Sequence, residues 1–189
     1  IYPVNPNARK ILGKKVYPNV KEVKEKIDLA VISSPRETTI GILEDCVAAG
    51  IKAVIVVNQG FTDADSRGNE LQHIIREMAK RDGIRILGPN TLGVINNFNN
   101  FTTSFMPVVK GNAPVGLICQ SGIHMVAPEQ FCGEIGKGID LGNACDVGFY
   151  DALKYMGEDA DIGIIAIHME GLTQGKAFLD LARSAAKEK

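Results

Sequence analysis

At 189 residues, 45% of them apolar, the chain can bury the core of one full domain or two small ones. A formal charge of -1 excludes the basic field that nucleic acid or an anionic membrane surface would need, so any phosphate has to be held locally. Apolar runs fall short of the roughly 20 residues of a membrane span and no signal peptide leads the chain; the four cysteines, without a CxxC pair or metal-ligand rhythm, read as reduced thiols of a cytoplasmic protein.

The chain opens on Ile1-Tyr2-Pro3-Val4-Asn5-Pro6-Asn7, a short extended segment closed by a turn, which without an initiator methionine reads as part of a larger chain. Helix signals over residues 8–26 are mixed. Asp28 to Ile32 reads as a strand buried on both faces. At its end Ser34 can cap a helix, Pro35 suits the first helical position and Glu37 completes a capping box. Ile40, Leu43, Cys46 and Val47 then share one helical face, and Gly50 stands where a left-handed C-terminal residue belongs. Ala53–Val57 is the next buried strand. A second helix turns Leu71, Ile74, Ile75 and Met78 inward and stops at Gly83, and a short strand, Ile84–Leu87, follows. This alternation predicts βαβ units and a parallel, Rossmann-like sheet, lacking the usual first strand with its glycine-rich phosphate loop.

Gly88-Pro89-Asn90-Thr91-Leu92-Gly93 directly follows that strand. It is either a forced tight connection or a bend that lets backbone approach a ligand at a strand's carboxyl end. Residues 96–113 are polar and aperiodic and read as a linker between two α/β units. The rhythm restarts with strand Val115–Cys119, the turn Gln120-Ser121-Gly122, and a helix-like stretch towards Gly133. A short strand and turn at Ile139–Asn143, a helix through Phe149, Leu153 and Met156, strand Ile162–Ile167, and a last helix from Lys176 to Ala186 complete the chain.

Two junctions carry chemical interest. Ser121 can cap or donate and Gly122 leaves room for close approach, so this turn is either a structural helix cap or a phosphate-binding N-terminus. Glu170, beyond the last strand, is either a charge at a sheet rim or a carboxylate that can orient an imidazole. His73, His124 and His168 have no acidic partner at a telling spacing, and no metal site is expected.

The same residues, in the same order, resemble the NDP-forming acyl-CoA ligase superfamily: the CoA-binding subunit of ADP-forming acetyl-CoA synthetases and, more distantly, the α subunit of succinyl-CoA synthetase. The matching stretches are Tyr2 to Asn7, Asp28 to Ile32, Gly88-Pro89-Asn90 with Gly93-Val94, Gln120-Ser121-Gly122, Leu141-Gly142-Asn143 with Asp146, and Glu170-Gly171. The resemblance implies an α/β fold of two parallel-sheet units, a truncated Rossmann-like CoA-binding domain over residues 1–110 and a partial flavodoxin-like ligase domain over 111–189. It implies CoA or acyl-CoA against Asn5, Ser33, Ser34 and Pro35. Asn90, Thr91, Ser121 and Gly122 would line a phosphate pocket, and Glu170 would steady a phosphohistidine. An ATP-grasp partner would supply ADP or ATP and Mg²⁺ within an oligomer. The implied reaction turns acyl-CoA, phosphate and NDP into acid, CoA and NTP through an acyl phosphate and a phosphohistidine, whose histidine the family carries in a later segment. Two departures stand out: Cys119 replaces the first serine of the family's turn, and Pro128 falls where the family has an unbroken helix, which a proline breaks or kinks. They favour the alternative of a CoA-binding or CoA-sensing module without ligase chemistry.

Overall fold

A computed structural model describes residues 1–108, 111 and 113–189. The first residues are tied down by backbone: Val4 bridges Tyr17, and the Asn5 N–H donates to the Tyr17 carbonyl at 2.9 Å. Where the sequence gives mixed helix signals there is a hairpin, β1 (Lys10–Ile11) and β2 (Lys14–Lys15), followed by a single 3-10 turn at Val20–Glu22. Leu12 and Gly13 both take positive φ, the geometry a two-residue hairpin loop requires.

Strands β3 (Ala30–Ile32), β4 (Ala53–Val56) and β5 (Arg85–Leu87) form a parallel sheet in that order, with α1 (Thr39–Ala48) and α2 (Ser66–Asp82) as the crossovers. Alternating side chains serve two cores: Val54, Val56 and Ile86 pack with Leu43, Ile75 and Met78 of α1 and α2, whereas Ile55 and Leu87 pack with Phe149 and Met156 of the second unit. Two expectations need correction. Val31 is 46% exposed because β3 is an edge strand, and Ile74 is 39% exposed, on the outer shoulder of α2. The capping box also fails to form. Pro35 leads into a 3-10 turn, Arg36–Thr38, with no side-chain cap, and Ser34 Oγ instead accepts from Thr38 Oγ1 at 3.1 Å. A side-chain cap does form on α2, where Asp65 Oδ1 accepts the Gly68 N–H at 2.7 Å and Gly83 closes the other end in the left-handed region.

The second sheet takes strands from both sides of the expected linker. Val94–Asn96 (β6) and Phe101–Thr102 (β7) form a hairpin that runs from the end of the turn stretch over residues 88–95 into residues 96–113, read from sequence as a linker. They join β8 (Val115–Cys119), β9 (Lys137–Asp140) and β10 (Ile164–His168) in the order β10-β8-β9-β6-β7, with β10, β8 and β9 parallel and β6 antiparallel to β9. β6 and β7 were missed because each is two or three residues long, too short for a period to declare itself. Helix α3 spans only Ile123–Val126; Ala127 leaves helical geometry and Pro128 starts a separate 3-10 turn. The predicted stretch towards Gly133 is thus one turn of α-helix. Helices α4 (Phe149–Glu158) and α5 (Gly175–Glu188) pack together on the sheet. Among the described residues no helix is long and apolar enough to cross a membrane.

Candidate functional site

Strands β4, β5, β8, β9 and β10 all direct their carboxyl ends to one cleft of about 820 Å³. β4 contributes Asn58 and Gln59, and β5 the turn through Asn90, Thr91 and Leu92. β8 brings Gln120, Ser121 and Gly122, β9 brings Asp140 and Asn143, and β10 brings Glu170. The location follows the rule for open α/β sheets, where strand ends leave a crevice ringed by loops.

Five expected site residues meet there: Asn90, Thr91, Ser121, Gly122 and Glu170. Their roles are not all those expected. Gly88 has φ +96° and a side chain on it would strike the Val56 carbonyl, so the turn needs glycine for backbone reasons. Asn90 sits at φ +60°, which asparagine tolerates; its N–H donates to the Asn58 carbonyl at 3.0 Å and its Nδ2 reaches Asn143 Oδ1 at 3.4 Å. Thr91 is buried, and its hydroxyl is engaged within the fold, donating to the Asp140 carbonyl and accepting the Gly93 N–H at 2.8 Å. The space a side chain would need at Gly122 is taken by Leu92, 2.8 Å away, so close packing is one reason for this glycine. Glu170 is exposed, and Gln120 Oε1 accepts both its N–H at 3.0 Å and that of Gly171 at 3.1 Å, fixing the loop after β10 to the end of β8.

The other four expected residues lie outside the cleft. Ser33, Ser34 and Pro35 stand at the carboxyl end of β3, next in the sheet to β4. Asn5 lies on the N-terminal segment, its Oδ1 accepting the Asn7 N–H. Because β3, β4 and β5 are parallel and adjacent, the ends of all three form one row, so the β3 end continues the cleft along the sheet edge.

Sequence reasoning missed Asn58, Gln59, Asp63, Asp140 and Asn143 as lining residues. Asp140 carried a readable signal, a carboxylate inside the apolar run Ile139-Asp140-Leu141, because an acid is rarely buried without a reason. Asn58 and Gln59 are distinguished only by following a buried strand. Among the described lining residues none is lysine, arginine or histidine, and three are carboxylates: Asp63, Asp140 and Glu170. His124 and His168 stack on each other away from the lining, ring centroids 3.8 Å apart. Cys119 is buried in the sheet, where burial pushes its thiol far up and leaves it inert. Among the described lining residues, the groups that can meet an anion are neutral side-chain amides and hydroxyls and backbone N–H groups.

Known families match the chain in two segments. Residues 1–97 match the profile described as CoA binding domain, and residues 111–189 that described as succinyl-CoA ligase like flavodoxin domain. An ADP-forming acetate-CoA ligase II of Archaeoglobus fulgidus is 39% identical over 99% of this chain and 29% of its own length. The alpha subunit of ADP-forming acetate-CoA ligase II of Pyrococcus furiosus is 32% identical over 100% of this chain and 42% of its own. Among solved structures, the dinucleotide forming acetyl-coenzyme A synthetase 1 of Ca. Korarchaeum cryptofilum, in complex with phosphate and ADP, superimposes with a TM-score of 0.89 at 32% identity, over 98% of this chain and 41% of that one. The chain thus spans less than half the length of these relatives.

Proposed function

The chain belongs to the CoA binding domain family, within the superfamily of NDP-forming acyl-CoA ligases, and from that premise we propose that it forms the CoA-binding part of an ADP-forming acyl-CoA ligase. The observation that carries the reading is the cleft at which the strand ends of both units meet, with the polar end of β3 next to that of β4 in the same sheet. In this reading residues 1–110 hold CoA and residues 111–189 serve the acyl and phosphoryl transfers.

CoA would run along the row of strand ends, with Ser33, Ser34 and Pro35 at β3 and Asn5 nearby on its distal part, and its thioester entering the cleft. Phosphate attacks the thioester carbonyl, releasing CoA and leaving an acyl phosphate; a histidine then takes the phosphoryl group, freeing the acid, and ADP accepts it to give ATP. Amides of Asn90 and Gln120 and the Ser121 hydroxyl are the side chains suited to phosphate oxygens. They donate hydrogen bonds without neutralising charge, so the counter-charge comes with Mg²⁺ and an ATP-grasp partner. None of the three histidines lines the cleft, which is consistent with the phosphorylated histidine arriving on another segment, where Glu170 can accept its ring N–H.

Calorimetric titration of this chain with CoA and acetyl-CoA, with NAD as control, tests the first step; binding of NAD alone would overturn the reading. Glu170→Gln, made in the chain assembled with its ATP-grasp partner, should abolish phosphohistidine turnover while leaving CoA affinity intact. One observation favours a second reading, a CoA-sensing module without ligase chemistry: Pro128 cuts α3 to a single turn, which weakens the helix dipole beside Ser121. CoA binding with no phosphoryl transfer in that assembly would select it.

A further inference from the structure

Asp140 ends β9 and is only 1% exposed, yet it reaches three of the turns that wall the cleft, those after β5, β8 and β9. Its Oδ2 accepts the Leu92 N–H at 2.6 Å from the turn after β5. Its Oδ1 accepts the Gly142 N–H at 3.3 Å from the turn after β9, and faces the Cys119 thiol at 3.9 Å. Its own N–H donates to the Gly93 carbonyl at 3.0 Å, and its carbonyl accepts the Thr91 hydroxyl. The third turn packs directly on it: a methyl group at Gly122 would lie 3.3 Å from Oδ2.

Among the described residues no lysine, arginine or histidine pairs with this carboxylate. Burial pushes it above the ordinary carboxylate range, with the Leu92 and Gly142 N–H groups only partly opposing. An ionised group without a countercharge in a buried position works against the fold unless its hydrogen bonds are satisfied. An apolar residue at the end of β9 would fill the space without that cost. Two acceptor oxygens, however, are what the geometry uses, one for each of two turns, and no apolar side chain and no single carbonyl supplies both.

We propose that Asp140 is a positioning residue of the cleft, a buried carboxylate that sets the Asn90, Ser121 and Asn143 turns in one mutual arrangement and thereby fixes the phosphate subsite. The proposal rests on the ligase reading for the identity of that subsite, and on the hydrogen bonds above for the positioning itself. Asp140→Asn keeps the volume but offers one oxygen to two donors, so either Leu92 or Gly142 loses its acceptor and faces an amide NH₂.

Two measurements decide it separately. In this chain, hydrogen exchange of Asp140→Asn should show faster exchange at residues 90–93, 120–122 and 141–143 together, with β4 and α2 unchanged and a melting temperature close to that of the parent. In the assembly with the ATP-grasp partner, KM for phosphate should rise about tenfold while KM for acyl-CoA stays within about twofold, a split that general loosening of the fold does not produce. Unchanged exchange at the three turns, or equal changes in both KM values, overturns the proposal. If the parent assembly has no ligase activity the ligase reading falls, and the exchange pattern still decides whether Asp140 positions the turns. Should Asp140→Asn not fold, Thr91→Val, which removes the hydroxyl bond to the Asp140 carbonyl together with the one from the Gly93 N–H and leaves the carboxylate in place, replaces it: a selective rise in the phosphate KM, or faster exchange confined to the same turns, supports the proposal, and its absence overturns it.

Discussion

Asn143 donates its Nδ2 to Asp63 Oδ1 at 2.8 Å, joining residues 80 positions apart in the chain and on opposite sides of the cleft. The same amide reaches Gln72 Oε1 of α2 at 2.9 Å, so one side chain latches the second unit to two points of the first. Asn143→Ala should lower stability by about 1–2 kcal/mol, the scale of part-buried hydrogen bonds lost. Asn143→Asp should cost more at neutral pH, because it sets a carboxylate against Asp63, which is itself held below its ordinary range: burial opposes that shift, and bonds from Asn143 and the Gly60 and Phe61 N–H groups outweigh it. Urea unfolding of both variants checks the order.

Lys137 lies inside the second unit, its side chain 8% exposed, with Nζ 2.5 Å from Asp159 and 3.1 Å from Asp161. Removing one member of such a pair leaves the other buried and uncompensated. Lys137→Met should therefore destabilise by about 3–5 kcal/mol, and adding Asp159→Asn should recover part of the loss. A cost below about 1 kcal/mol in urea titration would mean that Asp159 reaches water on its own.

Acid and neutral stability should separate two carboxylates. Asp140 is raised by burial, so the stability linked to its proton is full at low pH and lost as pH rises through its raised folded-state value. Asp159 is lowered; burial opposes the shift and the Lys137 bond outweighs it, so its contribution is present at neutral pH and lost as pH falls through its depressed value. Melting curves from about pH 4 to about pH 8 should show the parent's advantage over Asp140→Asn shrinking as pH rises. The parent's advantage over Asp159→Asn should instead hold steady above about pH 4 and fall away only in more acid solution, because the Asp159 value is lowered.

Two glycines should respond in opposite directions to alanine. At Gly142 φ is +53° and the added carbon would lie 2.4 Å from the carbonyl oxygens of Pro89 and Asn90, so Gly142→Ala should cost about 3 kcal/mol and disturb the cleft. At Gly41, within α1, nothing lies within 4 Å of the added carbon, and Gly41→Ala should stabilise by about 0.5–1 kcal/mol. Differential scanning calorimetry of the pair is sufficient.

How much of this was legible in the sequence depended on the range of the interactions involved. Ala53–Val57 announced its strand because a parallel strand buried on both faces is a continuous apolar run; Ile162–Ile167 carries such a run too, although its strand lies at a sheet edge with Ile164 exposed, and Gly50 and Gly83 marked helix ends by conformation alone. The strand-end turns at Asn90 and Ser121 were legible as turns, and the structure brings both to one cleft. Ser34 misled because a capping box is a local pattern, and Thr38 competed for the Ser34 hydroxyl. Asp63 and Asn143 were illegible as cleft residues because each is defined by partners from other elements, and Asp140 was marked only by its apolar neighbours. Motif resemblance supplied the family, and no local rule would have done so.

The hairpin of β6 and β7 has a consequence for any attempt to graft this chain's parts. Val94–Asn96 falls inside the segment that matches the CoA binding domain profile, yet it is hydrogen-bonded along Lys137–Ile139 of the other unit. A chimera joined after residue 97 would supply its host's sheet with a foreign β6, and one that takes only residues 111–189 would leave β9 with a bare edge of unpaired amides. The portable block is residues 94–189, so a donor's Ile95, packed in the core with Leu117 and Met125, travels with the flavodoxin-like unit or the seam between the two parts does not close.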